Sequence, residues 1–186
     1  AATESHVAAI GGITTMMRML RLGDSYRNSL LAQLNASSNS HYVDYAIHAS
    51  IFNLKQADDM QYCLENGVTS FKLYMNLGGE VGHVYMDMKP NENLLQEERV
   101  EVTSEVIQKV VKNASLLGCP VLVHAEDYEQ CGCGIKKAKE KNLDGLNAWS
   151  ESRPSESEKK SIKMISKYAR DSNCVLYFAH IGSRRT

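Results

Sequence analysis

The chain has 186 residues, of which 43% are hydrophobic and 23% are charged, and its formal net charge is −1. This composition is typical of a globular domain with a sizeable hydrophobic core. The near-neutral charge excludes the basic footprint of a nucleic-acid-binding domain, and no apolar run approaches the length that spans a bilayer. We therefore expect neither nucleic acid nor a membrane among the partners.

The first half of the chain alternates helical and strand-like patterns. Apolar runs with β-favouring residues predict strands over residues 13–20, 42–49 and 70–75. Helical patterns are predicted over residues 3–10, from a cap at Asp24 or Ser25 to about residue 35, and over residues 53–65. The methionines at 16, 17 and 19 predict core packing in the first of these strands.

The second half begins with a Gly-rich stretch over residues 77–92, which predicts a functional or mobile loop. Strong 3.6-residue periodicity then predicts a helix from about Gln96 to Leu117. Two further strands are predicted over residues 121–124 and 175–181, and helices over residues 135–141, 143–149 and 156–171. Strands separated by helices indicate an α/β fold with a parallel sheet, and five such units leave an open sheet and part of a barrel as alternatives.

The five cysteines, at 63, 119, 131, 133 and 174, do not follow the spacing of a disulfide framework. A reducing compartment is the simpler interpretation, so we expect a cytoplasmic protein. The pair Cys131-Gly-Cys133 is spaced more closely than a usual zinc knuckle. We interpret it as two small residues in a loop or at a helix start.

Three of the strand-like runs end in a residue that can bind a metal: Lys72, His124 and His180. If these strands are parallel neighbours in a barrel, the three side chains meet at the mouth formed by the strand C-termini, where chemistry takes place in such barrels. A neutral lysine amine takes up CO2, and the resulting carbamate is an anionic oxygen ligand that bridges two cations. The alternatives are a lysine that reaches solvent and a hydrogen-bonded core histidine.

Five stretches, in their order and spacing, resemble the cyclic amidohydrolases, a superfamily of hydantoinases, dihydropyrimidinases, allantoinases and dihydroorotases. They are Gly11-Gly-Ile-Thr-Thr15, Gly67-Val-Thr-Ser-Phe-Lys72, Val121-Leu-Val-His-Ala-Glu126, Ser152-Arg-Pro154 with Glu158, and Ala179-His-Ile-Gly-Ser183. The resemblance implies a (β/α)8 barrel of the TIM type, in which the visible strands are barrel strands two to six. Residues 1–186 are then expected to be the central segment of a metal-dependent amidohydrolase barrel whose flanks are missing.

The resemblance also implies a centre of two divalent metal ions, usually zinc. It implies that Lys72 is the carboxylated lysine that bridges both metals and that His124 and His180 bind the second metal. The family's remaining ligands, a His-x-His pair on the first strand and an Asp on the last, do not lie in this chain. Hydantoinases and dihydropyrimidinases have a Tyr five residues after the lysine, where this chain has Leu77, so the chain departs from these two members of the superfamily. Strand alternation directs Tyr74 to the same side as Lys72, so Tyr74 is the candidate substitute for contact with an oxyanion.

These features predict a hydrolase that opens a cyclic amide or ureide ring with a metal-activated hydroxide, as hydantoinases or allantoinases do. The expected partners are a small cyclic substrate and further copies of the chain in a homodimer or homotetramer. Two alternatives stay open: a dihydroorotase of pyrimidine synthesis, and a non-catalytic oligomeric scaffold with the same fold. Of the remaining polar residues, Glu126 and Asp127 are interpreted as pocket residues, His48 as structural, and Arg153 and Glu158 as a structural pair.

Overall fold

The computed structural model describes residues 1–90 and 92–184. Its strands are β1 (Thr15–Leu20), β2 (Asp44–Ser50), β3 (Ser70–Tyr74), β4 (His83–Tyr85), β5 (Glu97–Arg99), β6 (Val121–His124) and β7 (Leu176–Phe178). Its helices are α1 (Ala2–Ile10), α2 (Tyr26–Ser37), α3 (Leu54–Asp58), α4 (Met60–Glu65), α5 (Ser104–Leu116), α6 (Tyr128–Glu140), α7 (Gly145–Glu151) and α8 (Ser155–Ser172). None of the helices in the described ranges combines the length and the apolarity needed to cross a membrane.

The central sheet has the strand order β1-β2-β3-β6-β7, and every neighbouring pair is parallel. Strands therefore follow one another across the sheet in chain order, with a helical connection between each pair. This arrangement confirms the predicted α/β class with a parallel sheet. It also brings the carboxyl ends of β3, β6 and β7, where the candidate ligands were predicted, to one edge of the sheet.

The two faces of the sheet are occupied differently. Phe71 and Leu73 in β3, and Val121 and Val123 in β6, are fully buried in the core, to which helix α5 contributes its apolar side. Alternate positions of a strand point to opposite faces, so Lys72 and Tyr74 lie on the other face. There the Tyr74 ring stacks on the buried Phe52 ring, with centroids 6.0 Å apart. Tyr74 lies opposite His124 in the register of β3 and β6.

The chain between β3 and α5 differs from its prediction. Strands β4 and β5 form an antiparallel ribbon, so residues 97–99 belong to a strand and not to the helix predicted to start at Gln96. Helix α5 begins at Ser104, because the Thr103 side chain accepts a hydrogen bond from the Val106 amide and caps the helix there. The segment after β4 is fixed to the end of β1, since the Asp87 amide donates to the Arg21 carbonyl at 2.8 Å.

Helix α6 starts at Tyr128, seven residues before its predicted start at 135. Asp127 caps it by accepting a hydrogen bond from the Gln130 amide at 3.0 Å. The glycine at 134, which weakens the helical pattern in the sequence, allows a close backbone approach, because a Cβ there would lie 2.8 Å from the Glu151 carbonyl oxygen. Within α6, Cys131 is buried whereas Cys133 is exposed.

The outermost strands of the described sheet are β1 and β7, and apolar side chains there are partly uncovered. Met17 is 50% exposed and Tyr177 is 67% exposed. The prediction of core packing was therefore wrong for Met17. This residue lies on an edge strand, and half of its surface is left uncovered. Strand β7 also ends earlier than predicted, at Phe178, so that His180 lies in the loop that follows.

Candidate metal centre

Four predicted site residues lie together at the carboxyl ends of neighbouring strands. The His124 and His180 rings are in edge contact, with centroids 4.6 Å apart. Tyr74 lies between His124, at 6.2 Å between ring centroids, and Lys72, whose Nζ is 4.7 Å from the Tyr74 ring centroid. The contacts form a chain from Lys72 through Tyr74 and His124 to His180.

Lys72 is 3% exposed, which excludes the alternative of a lysine that reaches solvent. No hydrogen bond or ion pair of its Nζ is found within the described part of the chain. Burial lowers the pKa of Lys72 from its ordinary value of 10.5 to about 8, because the ammonium form has lost its hydration without gaining a carboxylate. A larger fraction of this amine is therefore neutral near physiological pH than of a surface lysine, and the neutral amine is the form that reacts with CO2.

His124 forms a hydrogen bond through Nε2 to Glu126 Oε2 at 2.7 Å. The opposite ring nitrogen, Nδ1, remains as the atom that can bind a metal, and a carboxylate on the second nitrogen is the usual partner of a metal-binding histidine. Burial acts to raise the pKa of Glu126, but the hydrogen bond from His124 and the charges of His124 and Arg153 hold it below its ordinary value. Glu126 is therefore a carboxylate at neutral pH.

His180 follows β7 in an unusual backbone conformation, with φ of 40°. Such a left-handed conformation is costly for a residue with a Cβ and is found where neighbouring contacts enforce it. The two residues after Ile181 provide such contacts, since the amides of Gly182 and Ser183 donate to the two carboxylate oxygens of Glu158 at 2.9 and 2.8 Å. The turn directs the His180 ring towards His124.

Two of the residues interpreted as structural show their contacts clearly. His48 Nδ1 lies 2.7 Å from the Ser70 hydroxyl, and burial, followed by the nearby charge of Lys72, lowers the pKa of His48. Arg153 Nε lies 3.7 Å from Glu126 Oε2. The sequence interpretation missed this contact between Arg153 and the loop after β6, although both residues lie in stretches that carry the family resemblance.

A cavity of about 530 Å³ adjoins the two histidines. It is lined by residues that include Asn76, His124, Glu126, Trp149, Arg153 and His180. This volume is in the range of small-molecule sites. The Asn76 Oδ1 atom is buried and, among the described residues, has no hydrogen-bond partner, so it is an acceptor that a bound molecule can satisfy.

The metal-binding capacity of this site depends on the lysine. Among the described residues, no group of three or more His, Cys, Asp or Glu side chains is arranged to hold a metal ion. Two facing imidazoles are ligands suited to zinc, and a carbamate on Lys72 would add anionic oxygens. Two imidazoles and one modified lysine could therefore supply part of the ligands of a metal centre.

Comparisons with known proteins bear on the fold and the relationships of the chain. No family model matches the chain. An allantoinase from Escherichia coli O9:H4 (strain HS) is 26% identical over 186 residues, and the match covers 97% of this chain and 38% of the allantoinase. The chain thus spans well under half of the curated relative's length.

Among solved structures, a D-hydantoinase superimposes with a TM-score of 0.79 at 20% identity, covering 97% of this chain and 36% of that protein. A dihydropyrimidinase from Brevibacillus agri NCHU1002 gives a TM-score of 0.76 at 21% identity, covering 98% of this chain and 37% of that protein. These likenesses confirm the predicted partial barrel. Together with the allantoinase match, they support the resemblance that the sequence motifs indicated.

Proposed function

We propose, from the premise that this chain is related to the cyclic amidohydrolase superfamily, that it is the central barrel segment of a metal-dependent hydrolase that opens a cyclic amide or ureide ring. One observation carries the proposal: Lys72 is 3% exposed and, within the described residues, has no hydrogen bond or ion pair, on the sheet face where His124 and His180 contact each other. A buried amine without a carboxylate destabilises a fold, so its presence beside two imidazoles is best explained by carbamate formation and metal binding.

In this proposal, the Lys72 amine attacks CO2 through its lone pair. A C–N bond forms, one C=O bond becomes a carboxylate, and the amine releases a proton. The carbamate, His124 Nδ1 and His180 would hold two divalent ions together with ligands from outside this chain, and zinc suits such nitrogen and oxygen donors. When bound, the metal centre supplies a hydroxide at neutral pH and polarises the substrate carbonyl.

Tyr74 is the proposed contact for the oxyanion that develops on the substrate. Burial raises the pKa of Tyr74, although a hydrogen bond with Ser50 acts in the opposite direction, so the phenol keeps its proton at neutral pH. Its ring contacts both Lys72 and His124, whereas the Leu77 side chain, at the tyrosine position of hydantoinases and dihydropyrimidinases, is apolar and buried. A donor placed at the developing negative charge stabilises the transition state more than the ground state.

Asn76 is the proposed contact for a substrate N–H group. Its Oδ1 atom is buried and lacks a donor among the described residues, and it lines the cavity beside both histidines. An unsatisfied buried acceptor is costly, so a ligand that supplies an N–H gains affinity there. Cyclic amides and ureides carry such N–H groups next to the carbonyl that is hydrolysed.

The experiment is a ring-opening assay on the purified protein that contains this chain, supplied with zinc and bicarbonate. The substrate panel is hydantoin, dihydrouracil, allantoin and dihydroorotate, which also separates the members of the superfamily. We expect turnover of at least one ring and its loss in Lys72→Ala. The matched control is Lys55→Ala, which removes a lysine whose side chain is 71% exposed, and turnover should be unchanged.

Absence of turnover on the whole panel would favour the non-catalytic scaffold over the hydrolase. Turnover that survives in Lys72→Ala would refute the role of the bridging lysine while leaving the hydrolase.

A further inference from the structure

The segment of residues 152–158, here called the brace, contacts both loops that carry the candidate histidines. It comprises the end of the α7–α8 connection and the first turn of α8. Arg153 reaches the loop after β6, and Glu158 reaches the loop after β7. One short segment thus touches the two places whose separation sets the distance between the His124 and His180 rings.

On the His124 side, the contacts form a relay of three side chains. Glu126 holds His124 Nε2 at 2.7 Å, and Arg153 Nε lies 3.7 Å from the same Glu126 oxygen. The Arg153 guanidinium is itself held over the Trp149 ring, 4.5 Å from its centroid. Because the side chains of Arg153 and Glu126 are only 20% and 21% exposed, solvent weakens this ion pair less than a surface pair.

The backbone after Glu126 is also tied to the brace. Ser157 is fully buried, and its Oγ accepts a hydrogen bond from the Asp127 amide at 2.7 Å. Asp127 starts helix α6, which packs closely on the end of α7 at Gly134. The position of Glu126 therefore depends on the helix packing that places the brace.

On the His180 side, Glu158 accepts two backbone hydrogen bonds, from Gly182 at 2.9 Å and from Ser183 at 2.8 Å. Charge-assisted hydrogen bonds of this kind are stronger than neutral ones. They offset the cost of the left-handed conformation at His180, whose φ is 40°. Both carboxylate oxygens of Glu158 thus fix the backbone that follows His180.

We propose that the brace positions both histidines for metal binding, directly through its own Glu158 and, on the His124 side, through Arg153, which holds the positioning residue Glu126 of the loop after β6. Glu126 fixes the His124 ring with its proton on Nε2, and Glu158 fixes the turn that orients His180. The expected effect of the brace on metal affinity rests on the proposed function. The ring orientation of His124 is a property of the protein before any metal binds.

The first measurement is ¹⁵N NMR of the histidine side chains in the metal-free protein at neutral pH. We expect His124 in the Nε2–H tautomer in wild type and a mixture of tautomers in Glu126→Ala. A wild-type His124 in the Nδ1–H tautomer would overturn the Glu126 assignment, whether or not the protein binds metal.

The second measurement is zinc affinity by competition with a chelator. Glu126→Gln and Glu158→Gln should each weaken binding by about 10- to 100-fold, the range observed when a partner of a metal ligand is removed. Glu126→Asp should recover part of the loss if its shorter carboxylate still reaches the ring. The control is Glu129→Gln, which changes an exposed carboxylate paired with Lys160 and should bind zinc as wild type does.

The two measurements distinguish a failure of the proposed function from a failure of the proposed role of the brace. A wild-type protein that binds no metal would refute the proposed function, and the tautomer of His124 would still decide the role of Glu126. A wild-type protein that binds metal with unchanged affinity in both Gln variants would refute the brace and leave the proposed function intact. Thermal unfolding of each variant shows whether a loss of affinity reflects a loss of folded protein.

Discussion

Alternating residues of the same strands form the two faces of the central sheet. The two faces differ in whether their side chains have partners within the described residues. On the helix-facing side, Phe71, Leu73 and Val121 are apolar, fully buried and packed into one core. On the other side, Lys72 has no ion-pair or hydrogen-bond partner among the described residues and His124 keeps one ring nitrogen free. The helix-facing side is packed throughout, whereas the opposite side has polar groups without partners among the described residues.

Burial alone therefore does not identify a structural residue. Phe71 and Lys72 are neighbours with similar exposure, 0% and 3%. Burial of the phenyl ring stabilises the fold, because it removes apolar surface from water. Burial of the ammonium destabilises the fold, because the charge loses its hydration. The chemical role proposed for Lys72 offers a reason for a burial that opposes folding.

The largest effect is expected on the helix-facing side. Phe71→Ala removes a fully buried ring and should lower the free energy of unfolding by about 3–5 kcal/mol. Urea denaturation monitored by circular dichroism measures this loss. A decrease below about 1 kcal/mol, well under the usual cost of such a cavity, would show that Phe71 is not part of a packed core.

The opposite sign is expected one residue later, for Lys72→Met in metal-free, bicarbonate-free buffer. The folded pKa of Lys72, about 8, lies below its ordinary value of 10.5, so the unfolded chain binds more protons between these pH values. Stability of the wild type should therefore rise with pH through this window, and the penalty should be fully present below it. Lys72→Met should remove the penalty and stabilise the protein by on the order of 2 to 3 kcal/mol at neutral pH.

The control for this variant is the pH dependence itself. The stability difference between Lys72→Met and wild type should shrink from pH 8 towards pH 10, because titration of all other groups is common to both proteins. A difference that is constant with pH, or a variant that is less stable than wild type, would contradict the unpaired state of Lys72. Metal binding should be lost in the variant in either case.

An intermediate effect is expected for the phenol on the site face. Tyr74→Phe should lower kcat by about 100-fold, the scale of removing one oxyanion donor, with little change in KM. Steady-state kinetics on the substrate identified by the panel measures both constants. Tyr85→Phe is the control, since Tyr85 is 52% exposed on the ribbon strand β4. A kcat equal to that of wild type would exclude Tyr74 as the oxyanion contact.

The smallest effect is expected for Asn76→Ala, which removes a proposed ground-state contact. KM should rise by about tenfold, the value of one hydrogen bond to a neutral group, and kcat should stay within a few-fold of wild type. Asn66→Ala is the control, because that side chain donates to the Tyr62 carbonyl at the end of α4. An unchanged KM would mean that the acceptor at Asn76 does not contact the substrate.

The sequence predicted the site-bearing strands well, because β3 and β6 are short segments rich in apolar residues and are buried on both faces. The ribbon of β4 and β5 was not predicted, since its strands have only three residues each and its second strand, Glu97–Arg99, is entirely charged. The start of α6 was missed because the glycines at 132 and 134 weaken the helical pattern. Capping by Asp127 and packing against α7 compensate for them in the fold.

The candidate site was likewise predicted only in part from the sequence. His124 could be placed from the end of its strand, because parallel strands share one carboxyl edge. Lys72 lies in the middle of β3, two residues before the strand end. The contact of Arg153 with Glu126 could not be predicted in this way, since it joins residues distant in sequence through the packing of α6, α7 and α8. The orientation of His180 also depends on a tertiary contact, the hydrogen bonds from Gly182 and Ser183 to Glu158.

Lys72, which lacks an ion-pair or hydrogen-bond partner among the described residues, is proposed to form part of a binuclear metal centre with His124 and His180. Elemental analysis of the purified protein, grown with zinc and bicarbonate, tests this proposal directly. The account predicts about two divalent ions per chain and near-complete loss of metal in Lys72→Ala. Absence of bound metal in the wild type after zinc or manganese supplementation would contradict it.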